Sequence, residues 1–165
     1  MSVLIRHAKP SDAEMLADLI SRSYKGVAER FGIDGDNAPS HPSNAKPQWL
    51  RDDMGSGVRY LVAELNGDIV GCVGYKQVAP DTIEAQRLAA LPEHRGSYVA
   101  NQLNRAVLAA TRELGAARIR ISVVADHQSL RRWYVRMGFV ETEARRFANL
   151  PFTVQYLEYA LTNEN

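Results

Sequence analysis

The chain has 165 residues and a mass of 18.4 kDa, with 45% hydrophobic and 24% charged side chains and a net charge of +1, the scale of one globular domain. That composition excludes a disordered, collagen-like or disulfide-scaffold protein, and no apolar run approaches the ~20 residues that cross a bilayer. The lone cysteine, Cys72, offers neither an internal disulfide nor metal-ligand spacing, and the opening Met1–His7 lacks the pattern of a secretory signal, so a reducing cytoplasm is the expected compartment.

Val3–Ala8 reads as a first strand. Pro10 and Ser11 then announce a helix, with Ser11 as cap and Glu14, three residues on, completing a capping box. Met15, Leu16, Leu19, Ile20 and Tyr24 follow at helical spacing, to about Arg30. Residues 31–46 are dense in turn formers, and so long a loop in a small domain marks a binding or mobile segment. A second short helix from about Pro47 is expected to bury Trp49, Leu50 and Met54. Arg59–Leu65 and Ile69–Val78 form a hairpin, because Asn66-Gly67 favours a type I′ turn. A further strand runs from Thr82 to Leu91. Beyond Pro92–Gly96, a helix carries Val99, Leu103, Val107, Ala110 and Leu114 on one face and ends at Gly115. Arg118–Val124 alternates as a strand. Asp126 can cap a helix bearing Leu130, Trp133, Tyr134 and Met137, closed by Gly138. Phe139–Phe147 and Val154–Leu161 are the last strands. The order β-α-α-β-β-β-α-β-α-β-β predicts a single-domain α/β fold: a mixed, mostly antiparallel sheet flanked by helices, with one strand–helix–strand crossover over residues 82–124.

The charge is unevenly spread. Up to Gln86 there are 9 basic and 12 acidic side chains, whereas Arg87–Arg146 holds 11 arginines against 5 acids. A basic segment in a chain with a pI of only about 7.9 points to a local anionic ligand rather than to nucleic acid.

The segment most informative about chemistry is a strand, then Pro92-Glu-His-Arg-Gly-Ser-Tyr-Val-Ala100, then a helix. Backbone N–H groups at a helix N-terminus lack intrahelical partners, and the helix dipole adds roughly half a positive charge there. Arg95 and the Ser97 hydroxyl could add direct phosphate contacts. Two readings stand for this loop: a phosphate cradle, or a tight connection and nothing more.

In its ordered set of segments the chain resembles the GNAT superfamily of acetyl-CoA-dependent N-acetyltransferases over nearly its whole length. The family's Pro-x-x-Arg-Gly-x-Gly-x-Gly/Ala loop is matched by Pro92–Ala100. Its later Asn-x-x-Ala-x-x-x-Tyr-x-x-x-Gly-Phe segment is matched by His127 through Leu130 and Tyr134 to Gly138-Phe139, and Ile5-Arg6…Asp12 fits its opening. Two departures stand out: Tyr98 replaces the middle glycine of the loop, and His127 replaces the asparagine. The resemblance implies that Leu88, Ala89 and Ala90 offer backbone groups to a pantetheine arm. It further implies that Arg95, Gly96, Ser97, Tyr98, Val99 and Ala100 hold the pyrophosphate, that His127 contacts the cofactor, and that the arginine excess serves the phosphates. It implies no metal.

The chemistry so implied is transfer of an acetyl group from acetyl-CoA to a primary amine by direct attack in a ternary complex. An ammonium with a pKa of about 10.4 must lose its proton before attacking. The oxygen of the thioester gains charge and needs a backbone N–H, which a splayed strand around Leu88–Ala90 could supply. The departing thiolate needs a proton, and Tyr134 stands where many family members keep that donor; the other reading of Tyr134 is a core tyrosine. Glu84 is the candidate base, since strand spacing puts Glu84, Gln86 and Leu88 on one face; the other reading is a plain strand glutamate. Ser122 occupies the place where some relatives carry a glutamate. His41 is a further candidate for contact with the acceptor, and Cys72 reads as a small buried apolar residue. The acceptor, a small amine or a peptide, would be read by residues 31–46, the two N-terminal helices and the hairpin end at Phe147–Phe152. No nucleic acid or membrane partner is expected; the resemblance implies a homodimer through terminal strands, which Val154–Leu161 is apolar enough to allow. The rival to the enzyme reading is a non-catalytic acyl-CoA-binding or interaction module that keeps the fold.

Overall fold

The computed structural model describes residues 3–94 and 98–161. In chain order its elements are β1 (Leu4–His7), α1 (Ala13–Arg30), α2 (Pro47–Gly55), β2 (Arg59–Leu65), β3 (Asp68–Ala79), β4 (Thr82–Ala90), α3 (Val99–Glu113), β5 (Arg118–Val124), α4 (Gln128–Arg136), β6 (Val140–Arg146) and β7 (Thr153–Ala160). The strands make one seven-stranded sheet in the order β1-β2-β3-β4-β5-β7-β6, and only the β4–β5 pair is parallel. This is the mixed, mostly antiparallel sheet read from the sequence. No helix among the described residues is long and apolar enough to cross a membrane.

Local chemistry explains most boundaries. Asn66 and Gly67 have φ of 54° and 86°, so both central residues of the β2–β3 turn are left-handed, as a type I′ turn demands. Helix α1 starts one residue later than a Ser11 cap suggests, with Asp12 at the cap position, because residues 10–12 form a 3₁₀ turn. The Asp12 carboxylate, not the Ser11 hydroxyl, organises that turn. It accepts the Lys9 N–H at 2.7 Å and two bonds from the Arg6 guanidinium at 3.0 and 3.2 Å, and a carboxylate accepts more strongly than a hydroxyl. Helix α4 likewise begins one residue beyond expectation, with His127 rather than Asp126 at its cap position.

Helices cover both faces of the sheet. On one face Val99, Leu103 and Val107 of α3 pack against Leu61, Val73, Ile83, Ile119 and Ile121. On the other, Leu16, Ile20 and Leu50 of α1 and α2 pack against Tyr60, Val62 and Cys72. Of the side chains expected to be buried by α2, Leu50 alone is fully enclosed, while Trp49 and Met54 are partly covered. Gly71 permits the close seat of α3. A Cβ there would stand 2.8 Å from Val99 Cγ1 and 3.0 Å from the Ala89 carbonyl oxygen.

The interior of β4 is interrupted. Cys72 pairs with Ala89 and Gly74 with Gln86, so β4 holds one residue more than β3 across this stretch: a β-bulge. The extra residue is Arg87, left-handed at φ 54°. The bulge sets both Gln86 and Arg87 toward the α1–α2 side. Gln86 Nε2 donates to the Tyr60 hydroxyl at 3.4 Å, and Arg87 Nη1 donates to Asp53 Oδ2 at 2.5 Å and to the same hydroxyl at 2.8 Å. The guanidinium also lies 5.6 Å from the centre of the Trp49 ring. A left-handed arginine costs of order 1 kcal/mol, and an ion pair, a hydrogen bond and a cation–π contact offset that cost.

The 31–46 segment is ordered by its own side chains. Asp34 Oδ1 accepts the N–H groups of Asp36 and Asn37, both at 2.8 Å, and Asn37 Nδ2 donates to the Gly32 carbonyl at 2.7 Å. Ala28, Ile33 and Ala38 form a small third core with Val124 of β5, joined by Phe31, Leu150 and Phe152. His41 caps a 3₁₀ turn at Pro42–Asn44, its Nδ1 accepting the Ser43 N–H at 3.2 Å.

Strand β7 lies between β5 and β6, so both of its edges are already paired. Val154–Leu161 is therefore no free sheet edge; the edge is β6, which is exposed throughout and carries five charged or polar groups in Val-Glu-Thr-Glu-Ala-Arg-Arg. Charged edge strands resist indiscriminate pairing.

The Arg87 anchor predicts that Asp53→Ala, which strands a guanidinium with only 18% side-chain exposure, costs about 1–2 kcal/mol in urea unfolding. Adding Arg87→Met, an apolar side chain against Trp49, recovers part of the loss. A second prediction concerns His41, whose pKa burial holds below the ordinary 6.5. The unfolded chain takes up a proton where the folded chain does not, so this contribution is complete above pH 6.5 and is lost as the pH falls below it. In His41→Asn, which keeps an acceptor for Ser43, the drop in urea midpoint between about pH 7.5 and about pH 5.5 is smaller than in the parent.

Candidate active site

Strands β4 and β5 pair for three residues only: Thr82 with Arg118, Ile83 with Ile119 and Glu84 with Arg120. Beyond Glu84 they diverge, and the gap between them is a crevice of about 470 Å³, within the range of small-molecule sites. One wall is β4 from Glu84 to Leu88 and the other is β5 from Ile121 to Val124. Asn104 of α3 with Leu130 and Tyr134 of α4 line it on one side of the sheet. On the opposite side it meets Tyr24 and Val27 of α1, residues 40–42 of the long loop, and Leu150 and Phe152. The crevice thus passes through the sheet, and two reactants can approach it from opposite faces.

The strand backbone around the gap is partly spoken for. The Leu91 N–H donates to the Val70 carbonyl on β3 at 3.0 Å, and strand alternation then turns the polar groups of Leu88 and Ala90 toward the opening. Helix α1 takes both of those carbonyls: the Tyr24 hydroxyl donates to Leu88 at 2.8 Å and the Ser23 hydroxyl donates to Ala90 at 3.1 Å. By the same alternation the Leu88 and Ala90 amides also point away from β3, and Leu88 lines the crevice. Ala89 points the other way, 4% exposed and packed into the α1–α2 core.

Tyr134 is buried and lines the crevice, clamped edge-on by Trp133 at 4.9 Å and Phe139 at 5.1 Å between ring centres. Burial pushes its pKa well above the usual phenol value, so the hydroxyl holds its proton. Among the described residues no hydrogen-bond partner occupies that hydroxyl. Glu84 lies where the strands part, half-buried, with Lys76 on β3 and Arg120 on β5 as its neighbours in register. The sequence reading of Glu84, Gln86 and Leu88 on a single face fails at the bulge: Arg87 resets the alternation, so Leu88 packs toward α3 while Glu84 and Gln86 face α1–α2.

Of the proposed phosphate loop, Arg95, Gly96 and Ser97 lie outside the described residues. Tyr98 has a ring 40% exposed that does not line the crevice. Val99 is buried against Gly71, and Ala100 is half-buried in the first turn of α3. His127 lines the crevice, with its ring 5.8 Å from that of Phe31. His41, distant in sequence from every other site residue, is brought to the crevice between Tyr24 and Phe152, ring centres 5.8 and 6.3 Å away. Cys72 is fully enclosed behind Arg87, its thiol pushed up to about 12 by burial, which leaves no thiolate at neutral pH.

The arginine excess serves ion pairs more than the sequence suggested. Arg87 is bound to Asp53 at 2.5 Å, Arg118 to Asp81 at 3.2 Å, Arg120 to Glu143 at 3.6 Å and Arg145 to Glu143 at 3.0 Å, and Arg131 pairs with Glu141. Arg105 instead lines a second hollow between α3 and the end of α4 that meets the crevice at Asn104. Sequence reasoning missed Tyr24, Ser23 and Asn104. Their signal was only a helical spacing, which marks core and site alike.

Three kinds of comparison bear on this architecture. A family model described as the acetyltransferase (GNAT) family matches residues 15–139. Among solved structures, the chain is similar to a PaiA N-acetyltransferase from Thermoplasma acidophilum in complex with coenzyme A, at 18% identity and TM-score 0.75, covering 98% of this chain and 100% of that one. It is similar also to the ribosomal-protein-S18-alanine N-acetyltransferase from Escherichia coli, at 14% identity and TM-score 0.77 over 99% and 98% of the two chains. A ribosomal-protein-alanine N-acetyltransferase from Brucella melitensis gives 20% identity and TM-score 0.71 over 96% and 99%. No curated protein matches by sequence. At such identities the structural likeness speaks for the fold, while the family match spans most of the sheet and the crevice-lining parts of α1, α3 and α4: the chain belongs to the acetyltransferase (GNAT) family.

Proposed function

We propose that the protein transfers an acetyl group from acetyl-CoA to a primary amine by direct attack within a ternary complex. Family membership supports an acyltransferase. The observation that carries the finer reading is the through-sheet crevice with Tyr134 on one side and Glu84 at its apex. Acetyl-CoA would supply an acetyl group activated as a thioester. The gap suits a narrow arm of that kind: Leu88 lines it, alternation turns the Leu88 amide away from β3, and Tyr98 is not among its lining residues.

The chain's own groups then divide the work. The amides of Leu88 and Ala90 donate to the carbonyl oxygen as negative charge develops there. Glu84 receives the proton that the attacking nitrogen must shed, directly or through one water. The Tyr134 hydroxyl donates its proton to the sulfur as the carbon–sulfur bond breaks, a task suited to a phenol kept protonated by burial. The α3 N-terminus, Arg95, Gly96, Ser97, Tyr98, Val99 and Ala100 included, is our assignment for the pyrophosphate. No arrangement of nucleophile and base in the crevice supports a covalent acyl-enzyme, and Cys72 is sealed from it. A small or peptide amine is the proposed partner, and a homodimer the proposed assembly.

Release of free CoA thiol across a panel of amines tests this function. Acetyl-CoA binding without turnover on any amine would favour the non-catalytic module. Tyr134→Phe is expected to lower kcat about a hundredfold with little change in the KM for acetyl-CoA, since the proton is needed in the transition state; a loss confined to KM refutes the role. Glu84→Gln is expected to cost about as much at neutral pH. Its deficit shrinks as the pH approaches the amine pKa of about 10.4, where solvent already supplies neutral amine.

A further inference from the structure

The wall of the crevice on the α1 side differs chemically from the α4 side. Tyr24, His41 and Phe152 stand edge to face in series, at 5.8 and 6.3 Å, and Val27, Pro42 and Leu150 complete the lining. These residues come from three separate stretches of chain, joined only by folding.

The charges on the lining are few and already assigned. Among the described residues Glu84 is its sole carboxylate. Its arginine, Arg87, is bound to Asp53 and Tyr60 and rests against Trp49. His41 is engaged locally, its Nδ1 3.2 Å from the Ser43 N–H and 2.8 Å from the Ser43 hydroxyl, and burial lowers its pKa and so disfavours a charged ring. A polyamine or a lysine-rich peptide carries further ammonium groups, and each would enter an apolar wall with no second carboxylate to meet it. An amino acid carries a carboxylate, and the arginine that could receive it is held by Asp53. An aromatic ring, by contrast, fits between faces and edges already set in the T-shaped arrangement that rings prefer.

Resting on the acetyl-transfer reading, we infer that the acceptor is a monoamine whose remaining bulk is apolar and aromatic, an arylalkylamine, held by Tyr24, His41 and Phe152 with its amino group toward Glu84. Phe152 acts in specificity alone. It touches neither Glu84 nor Tyr134 and lies in the small third core with Leu150 and Phe31.

The test compares 2-phenylethylamine, butylamine, spermidine, glutamate and a lysine-containing peptide as acceptors, with thiol release as the readout. The expected order places 2-phenylethylamine first in kcat/KM, at least tenfold above butylamine. Phe152→Ala raises the KM for 2-phenylethylamine about tenfold, with kcat and the KM for acetyl-CoA unchanged, and Phe152→Leu recovers part of the loss. Preference for spermidine, glutamate or the peptide overturns this inference and leaves acetyl transfer standing. So does a Phe152→Ala variant that folds, by circular dichroism, and keeps its KM for 2-phenylethylamine. Acetyl-CoA binding with no turnover of any amine overturns the acetyl-transfer reading and this inference with it.

Discussion

A sheet that opens in its middle must find other partners for the backbone groups it exposes. Strands β4 and β5 hold together through residues 82–84 and 118–120 and then part, in the interior where unpaired N–H and C=O groups are most costly. The far half of β5 is supported by β7, which pairs along its full length. The far half of β4 is supported by β3 on one side and on the other by two hydroxyls of α1, from Ser23 and Tyr24. Those hydroxyls satisfy carbonyls, which leaves amides as the groups that this edge of β4 has to offer. That polarity bias suits an oxygen gaining negative charge, so the same bonds that make the opening tolerable also shape its chemistry.

The bulge at Arg87 is the second half of this arrangement. It adds a residue to β4 at the widening of the gap and turns Leu88 across to the α3 side. Its conformation is held from α2 by Asp53 and Trp49, an element that does not itself line the crevice. Helix α2 therefore acts on the site through the sheet rather than by contact. The long 31–46 segment is coupled to it from the other side: its third small core includes Val124, the last residue of β5.

Element types and order were legible in the chain, since hydrophobic periodicity and turn signals such as Asn66-Gly67 are local. Errors came where a local rule met a nonlocal partner. Ser11 lost the helix start to Asp12 because Arg6 was close enough to charge-pair with the latter. Even spacing along β4 failed because one arginine found Asp53 and took a left-handed conformation. Three arginines of the basic stretch, Arg87, Arg118 and Arg120, have acidic neighbours from distant parts of the chain, which composition does not show.

What the sequence determined by itself is the inventory: strands and helices in this order, a strand-to-helix turn before α3, and a tyrosine four residues before Gly138. What only the tertiary structure decided is where the sheet opens, which faces of β4 look into the opening, and that Tyr24, His41 and Phe152 share one wall. The reason is one of range. Propensity and periodicity act over a few residues, whereas a bulge, an ion pair or an aromatic series is set by groups that meet only after the chain has closed on itself.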